Sequence, residues 1–291
     1  MKLTLGPLQY FWPRRRVLAF YDAACAQPLD AIYLGETVCS KRRELRTGEW
    51  IELGRSLARG GREVILSTLA LIEAESELAT VKRLVDNGEL RVEANDMAAV
   101  QFLRERRLPF VAGPSINVYN HRALALLQRA GMTRLVLGVE QGRDLVAQLR
   151  AQCQREGIAL PELEIIGWGR LPLSYSARCF TARAYDVPKD DCGFRCIAHP
   201  DGLALDTREG QRFLVINGVQ VQGATVCDLA PEVEALAAAG IDLVRLYPQA
   251  EGTEAAIARW REAIDSHQAP PRLGDNAGYW YGTAGMGAAV G

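Results

Sequence analysis

The chain has 291 residues, room for two ordinary domains or for one large α/β barrel with a full hydrophobic core. Its 34 Lys plus Arg balance 35 Asp plus Glu to a net charge of -1, which excludes the basic footprint of a nucleic-acid or anionic-membrane binder. No apolar run approaches the ~20 residues needed to cross a bilayer, and the opening "MKLTLGPLQYFWPRRRVLAF" lacks a signal-peptide layout, so a cytoplasmic protein is expected.

From residue 2 to residue 170, short β-prone runs alternate with helical stretches in the rhythm of βα units around a parallel sheet. The expected strands are "LTLGPL", "AIYLGE", "EVILST", "LRVEAN", "PFVAGPS", "RLVLGVE" and "ELEIIGWG". Between them lie "DAACAQPLD", "RRELRTGEWIELGRSLARGG", "EAESELATVKRLVDNGE", "MAAVQFLRERRL", "NHRALALLQRAGM" and "GRDLVAQLRAQCQREGI", most of which space Leu, Val and Ile at three and four. The alternation breaks after Gly169. Residues 171–227 read as a cysteine-rich insertion with a hairpin, "RFLVINGVQVQGATV", turning at Asn217-Gly218, and with no convincing long helix. An eighth run, "IDLVRLYP", follows the helix "APEVEALAAAG".

The predicted fold is α/β, a single (β/α)8 TIM-barrel-like domain over 1–272 with the cysteine-rich insertion late in the chain. A doubly wound open sheet is the rival, but no Gly-x-Gly-x-x-Gly follows a strand. The tail, 273–291, is too rich in Gly for a regular helix, yet Tyr279, Trp280 and Tyr281 carry too much apolar area for water and should dock on the barrel.

Seven cysteines are an unlikely disulfide framework in a reducing compartment, and three of them crowd into "RCFTARAYDVPKDDCGFRCIAHP". Twelve residues separate Cys179 from Cys192 and three separate Cys192 from Cys196. A fourth thiolate is offered by Cys39 in "YLGETVCSKRREL", just past the second strand. In a barrel the loops after strands meet at one face, so the Cys39 loop and the insertion can converge. Four thiolates fit a structural zinc ion or an iron–sulfur cluster. Only Cys192 and Cys196 have the close spacing usual for zinc, and the spread pattern suits the larger cluster better. "CGFRCIAH" is one residue away from a three-cysteine radical signature, with His199 in the third place, but it lies late in the chain and His199 reads as a loop residue before Pro200. Cys25, Cys153 and Cys227 are expected to be packed small hydrophobes.

Hydrolytic signatures are missing: the chain has no His-Glu-x-x-His, no Gly-x-Ser-x-Gly and no Walker-type loop. His121 should start a helix, and His267 lies in a terminal loop. Polar residues at the expected C-terminal ends of strands, Glu36, Thr37, Asn95, Ser115, Asn117 and Glu140, are candidate pocket walls, though some could simply cap the next helix. Arg42 and Arg43, next to Cys39, could meet an anionic substrate or form a solvated helix face.

Four stretches, "YLGETVCSKRREL", "INVYNHRALALLQRAGMTRLVLGVE", "RCFTARAYDVPKDDCGFRC" and "NAGYWYGTAGM", resemble the ubiquinone-biosynthesis members of the collagenase-like peptidase (U32-type) family over nearly the whole chain. The resemblance implies a 4Fe–4S cluster on Cys39, Cys179, Cys192 and Cys196. It further implies a heterodimer with a UbiU-like homologue, a UbiT-like lipid-binding partner, and oxygen-independent hydroxylation of a quinone precursor during anaerobic growth. Hydroxylation without molecular oxygen needs another oxygen donor, for which the family points to prephenate, and a path for electrons, to which a cluster is suited. The alternatives are a non-catalytic scaffold subunit stabilised by its cluster and, more weakly, a zinc-stapled hydrolase. Peptidase activity is not expected.

Overall fold

The computed structural model describes residues 1–273 and 276–283. Part of the tail therefore lies outside the described residues. Its strands are β1 (Lys2–Leu5), β2 (Ala31–Leu34), β3 (Glu63–Ser67), β4 (Arg91–Ala94), β5 (Phe110–Ala112), β6 (Met132–Val136), β7 (Glu162–Tyr175), β8 (Leu203–Asp206), β9 (Arg212–Asn217), β10 (Gln220–Asp228) and β11 (Leu243–Leu246). The helices are α1 (Arg14–Cys25), α2 (Thr47–Ala58), α3 (Glu75–Val85), α4 (Met97–Glu105), α5 (His121–Arg129), α6 (Arg143–Arg155), α7 (Phe180–Ala184), α8 (Val233–Ala238) and α9 (Thr253–Ser266).

β1 to β7 pair in parallel in chain order, and β11 closes the circle by pairing with both β1 and β7. This is a closed eight-stranded parallel barrel with helices around it, a TIM-barrel-like α/β fold, and closure rules out the open-sheet rival. Alternate strand residues face outward, where Leu3, Leu5, Ile32, Leu34, Val64, Leu66 and Val92 join the helices in the main core. Helix starts follow capping chemistry: Asp96 accepts from the Ala98 amide before α4, and Asn120 accepts from the Arg122 and Ala123 amides before α5.

Three parts of the fold differ from the sequence reading. β7 runs six residues past the expected break at Gly169, to Tyr175, because β10 turns back along it and supplies an antiparallel partner. Gly169 takes φ 114 where a Cβ would come within 2.8 Å of Tyr247, so the strand can bend only with glycine here. α1 begins at Arg14 rather than near Asp22, and α9 and the edge strand β8 have no counterpart among the expected elements. α9 is readable in retrospect, since Ala256, Ile257, Trp260, Ala263 and Ile264 keep helical spacing and are all buried.

The barrel interior is partly ionic. Beside Ala31, Tyr33, Ile65, Val111 and Val136 lie Glu93, Glu164, Arg134 and Arg245, all buried. Arg245 donates to Glu93 at 2.6 Å and to Glu164 at 2.9 Å. Glu164 also accepts from the Thr4 hydroxyl at 2.6 Å and the Tyr33 hydroxyl at 2.5 Å. Towards the N-terminal mouth Arg134 reaches Tyr33, Glu63 and Glu162. Arg245 lies 4.0 Å over the Tyr33 ring. Burial by itself would raise the Glu164 carboxyl, but Arg245 and Arg134 win and hold it below the usual range.

Arg245→Met leaves Glu93 and Glu164 without their shared cation and should cost about 3–5 kcal/mol in urea unfolding. Lys2→Met, at the exposed pair with Glu162, should cost under about 1 kcal/mol. Equal midpoints for the two variants would mean that the buried network does not hold the barrel. Because the folded-state pKa of Glu164 is depressed, its contribution should be fully present above about pH 4.3 and lost as pH falls through the lower folded value.

Candidate functional site

The C-terminal mouth of the barrel is filled by a hydrogen-bonded lid of amides. β9 and β10 form a hairpin in which Asn217 pairs with Gln220 across a tight turn at Gly218, which takes φ 68. Asn217, Gln220 and Gln222 are buried. They meet Gln9 and Tyr10, which follow β1, and Tyr175 at the end of β7, and Tyr10 in turn bonds Gln249, which follows β11. Gln222 donates to Gln9 and Gln220, and Gln220 donates to the Tyr175 hydroxyl at 2.7 Å. Asn217 donates to the Gln9 carbonyl and to Gln220, and the Tyr10 hydroxyl bonds Gln222 and Gln249. Each amide satisfies another in place of water, which is what burying such groups requires.

One side of this lid gathers the predicted thiols. In the turn after β2, Glu36 accepts from the Val38 and Cys39 amides at 2.9 and 3.0 Å, and the Arg42 amide donates to the Cys39 carbonyl at 3.0 Å. The Arg42 side chain turns inward to 1% exposure; Nη1 donates to the Gln9 carbonyl at 2.8 Å and Nη2 to Asn217 at 2.7 Å. Neighbouring Lys41 reaches the insertion, donating to the Lys189 carbonyl at 2.9 Å and pairing with Asp190. Lys189 pairs in turn with Glu73, before α3. Cys179 caps α7, and the next amide, of Phe180, donates to the Gly218 carbonyl at 2.9 Å, directly beside Arg42. Between Cys192 and Cys196, Phe194 adopts the left-handed region at φ 51 and rests its ring 5.8 Å from Phe11, which itself lies 5.8 Å from the Arg42 guanidinium.

Cys39, Cys179, Cys192 and Cys196 are all partly exposed in this one region. Burial pushes the Cys39 and Cys196 thiols up, Arg42 offsets part of that rise in both, and both sense the Cys179 sulfur. Cys192 and Cys39 both lie within the electrostatic reach of Lys41. Burial also raises the Glu36 carboxyl against the pull of Arg42. Among the described residues no three His, Cys, Asp or Glu side chains converge tightly enough to hold a single metal ion. A lone zinc ion needs its sulfurs about 2.3 Å from one point, whereas a cubane takes each thiolate at a separate corner. Four thiols on segments that meet here, beside Lys41 and Arg42, are the donor type that an iron–sulfur cluster takes.

The lid also divides the expected pocket wall. Glu36, with Arg42 and Arg43, borders a cleft of about 600 Å³ between α2 and α3 whose floor includes Leu45, Trp50, Leu69 and Leu84. Asn117, Ser115 and Glu140 border a separate cavity of about 250 Å³ with Tyr119 and Tyr175. Thr37 is buried with its hydroxyl unpartnered. Asn95 is buried and belongs to neither wall; it bonds Thr68 and Glu93 and is met by Ser115, so its role is to tie β3, β4 and β5 together. Arg42 is not part of a solvated face, contrary to one of the two sequence readings, while Arg43 is exposed.

Cys153 and Cys227 are buried as expected, but Cys25 is exposed at the end of α1, because the buried face of that helix is Val17, Tyr21 and Ala24. His121 starts α5 and bonds Gln152, His199 bonds the Tyr185 hydroxyl at 2.6 Å, and His267 follows α9. Trp280 is buried, and its carbonyl accepts from the Arg143 amide, so the described part of the tail docks at the start of α6. The sequence reading missed Lys41, Gln9 and the lid amides. One signal was available: Gln220 and Gln222 alternate within "GVQVQG", which puts two amides on one strand face.

The profile described as peptidase family U32 matches residues 18–274. Among solved structures, the chain is similar to the U32 peptidase Mk0906, at 14% identity and TM-score 0.47, covering 86% of this chain and 94% of that one. It is also similar to the dihydropteroate synthase of Thermus thermophilus, at 13% identity and TM-score 0.47, over 91% and 93% of the two chains. A third is 3-hexulose-6-phosphate synthase from Salmonella typhimurium, at 13% identity and TM-score 0.45, over 92% and 100%.

Alkylation of the metal-free native chain, read by peptide mass spectrometry, should label Cys25 first and should spare Cys153 and Cys227 until the protein unfolds. Labelling of Cys39 should need a higher pH than labelling of an ordinary free thiol, because burial raises the Cys39 thiol. Early labelling of Cys227 would contradict its burial.

Proposed function

The chain belongs to peptidase family U32, and on that premise we propose that it is a UbiV-type iron–sulfur subunit of an oxygen-independent hydroxylase acting on ubiquinone precursors. The observation that supports this reading is that the segments carrying Cys39, Cys179, Cys192 and Cys196 meet at the C-terminal face of the barrel, where Lys41 reaches Lys189, Phe180 reaches Gly218 beside Arg42, and Phe194 packs near Phe11 over Arg42. Each of the four would supply one thiolate to a 4Fe–4S cluster. Bound there, such a group supplies one-electron transfer, the capacity that ring hydroxylation without molecular oxygen needs.

The chain's own residues have three parts in this reading. Lys41 and Arg42 place two cations beside thiolates whose clustering would otherwise be repulsive. Glu36 fixes the backbone of the Cys39 turn through two amides. The lid keeps water from the inner side of the site by filling the barrel mouth. A UbiU-like homologue as heterodimer partner, a UbiT-like lipid-binding protein, and prephenate as oxygen donor complete the proposal. The filled mouth also favours one second reading, a scaffold subunit whose partner holds the substrate.

Anaerobically purified protein should be brown and carry about four iron and four sulfide per chain. Ala at Cys39, Cys179, Cys192 or Cys196 should strip most of the iron, while Cys227→Ser should keep it. Colourless protein with stoichiometric zinc would sink the cluster. Deleting the gene should lower ubiquinone only in cells grown without oxygen. A folded Cys179→Ala protein that lacks iron yet restores anaerobic ubiquinone would leave the scaffold reading in place of the redox one.

A further inference from the structure

We infer that Arg42 sets the reduction potential of the group held by the four cysteines, beyond its part in clamping the lid. The inference rests on the cluster reading above, but it concerns a residue that thiolate ligation does not itself require.

Arg42 is tied to every segment that supplies a thiol. Its amide bonds the Cys39 carbonyl. Its Nη2 contacts Asn217 and lies against Gly218, whose carbonyl holds the Phe180 amide next to Cys179. Phe11 bridges it to Phe194, between Cys192 and Cys196. The fixed bonds use Nη1 and Nη2 on the lid side, and Nε is buried with no partner. An orphan charged donor in such a place is costly unless something else receives its field. The side chain is 1% exposed, so its charge is little screened by water or salt.

The sign of the effect follows from charge. On reduction, one electron arrives from an external one-electron donor and the site becomes one unit more negative, while the Arg42 guanidinium keeps its proton throughout. A fixed cation therefore favours the reduced form and raises the potential. Glu36, whose Oε1 is 3.8 Å from Arg42 Nη1, is the opposing charge and lowers it. Lys41 adds a smaller contribution, because its side chain is 32% exposed and paired with Asp190.

The test is anaerobic titration with dithionite and mediator dyes, followed by electron paramagnetic resonance, on reconstituted full-length chain with iron counted in every sample. Arg42→Gln should lower the potential enough to cut the reduced-to-oxidised ratio at fixed potential at least tenfold, which is about 59 mV for one electron. Arg42→Lys, which retains a cation, should shift it less, and Glu36→Gln should shift it upward. An Arg42→Gln protein with wild-type iron and wild-type potential would overturn the inference and leave Arg42 as a clamp only. If Arg42→Gln cannot fold or load iron, Arg42→His decides: its ring gains charge as pH falls through about 6.5, so its potential should rise towards wild type there, and a potential that tracks wild type at every pH overturns the inference equally. Wild-type protein that binds no iron would instead defeat the cluster reading on which the inference stands.

Discussion

The pairing of Arg245 with Glu93 and Glu164 inside the closed barrel is the constraint from which the rest of the structure follows. Water cannot reach these charges, so each must find its counter-charge in protein or cost several kcal/mol, on the order of the effective penalty for burying an ion. The network draws one residue from each of five strands: Thr4, Tyr33, Glu93, Glu164 and Arg245. A one-residue slip of any strand would turn its member out of the barrel and leave the others unpaired. Register is thereby fixed more sharply than an apolar interior would fix it, and with it the height at which each strand ends.

Those strand ends determine what can be built above them. Gln9, Tyr10 and Gln249 leave β1 and β11 at the level where the returning hairpin lays down Asn217, Gln220 and Gln222. The barrel axis is thus occupied by mutually bonded amides, and open volume is displaced outward. The larger cleft lies between α2 and α3 and shares Glu36 and Arg42 with the thiol region. Open volume at this face is consequently off-axis, with Arg42 common to the lid and the cleft wall.

The barrel was legible in the sequence because parallel strands buried on both faces make short continuous apolar runs, and these recur with helices at a regular interval. That the Cys39 turn meets the insertion was legible because loops after barrel strands share a face. The extension of β7 was not legible: Arg170, Pro172 and Ser174 look like a loop until β10 is placed beside them. Nor was the division of the pocket residues, since Asn95 and Asn117 present the same local pattern and differ only in what packs over them. Arg42 is the sharpest case. "SKRREL" reads as a charged helix start, and only the distant acceptors Gln9 and Asn217 draw its first arginine inward.

The distance in sequence between those partners also governs when the site can exist. Lys41 meets Lys189 across 148 positions, and Arg42 meets Asn217 across 175. Contacts so remote carry a large closure cost and form only once the intervening chain is ordered. The insertion, moreover, is held between β7 and β11, and β11 is the strand that joins the first and the seventh. The late thiols take their place from β10 lying along β7, so their approach to Cys39 is a contact of high sequence separation that barrel closure favours. The buried Arg245 network, which favours closure in one register, thereby also favours the meeting of the Cys39 turn with the insertion.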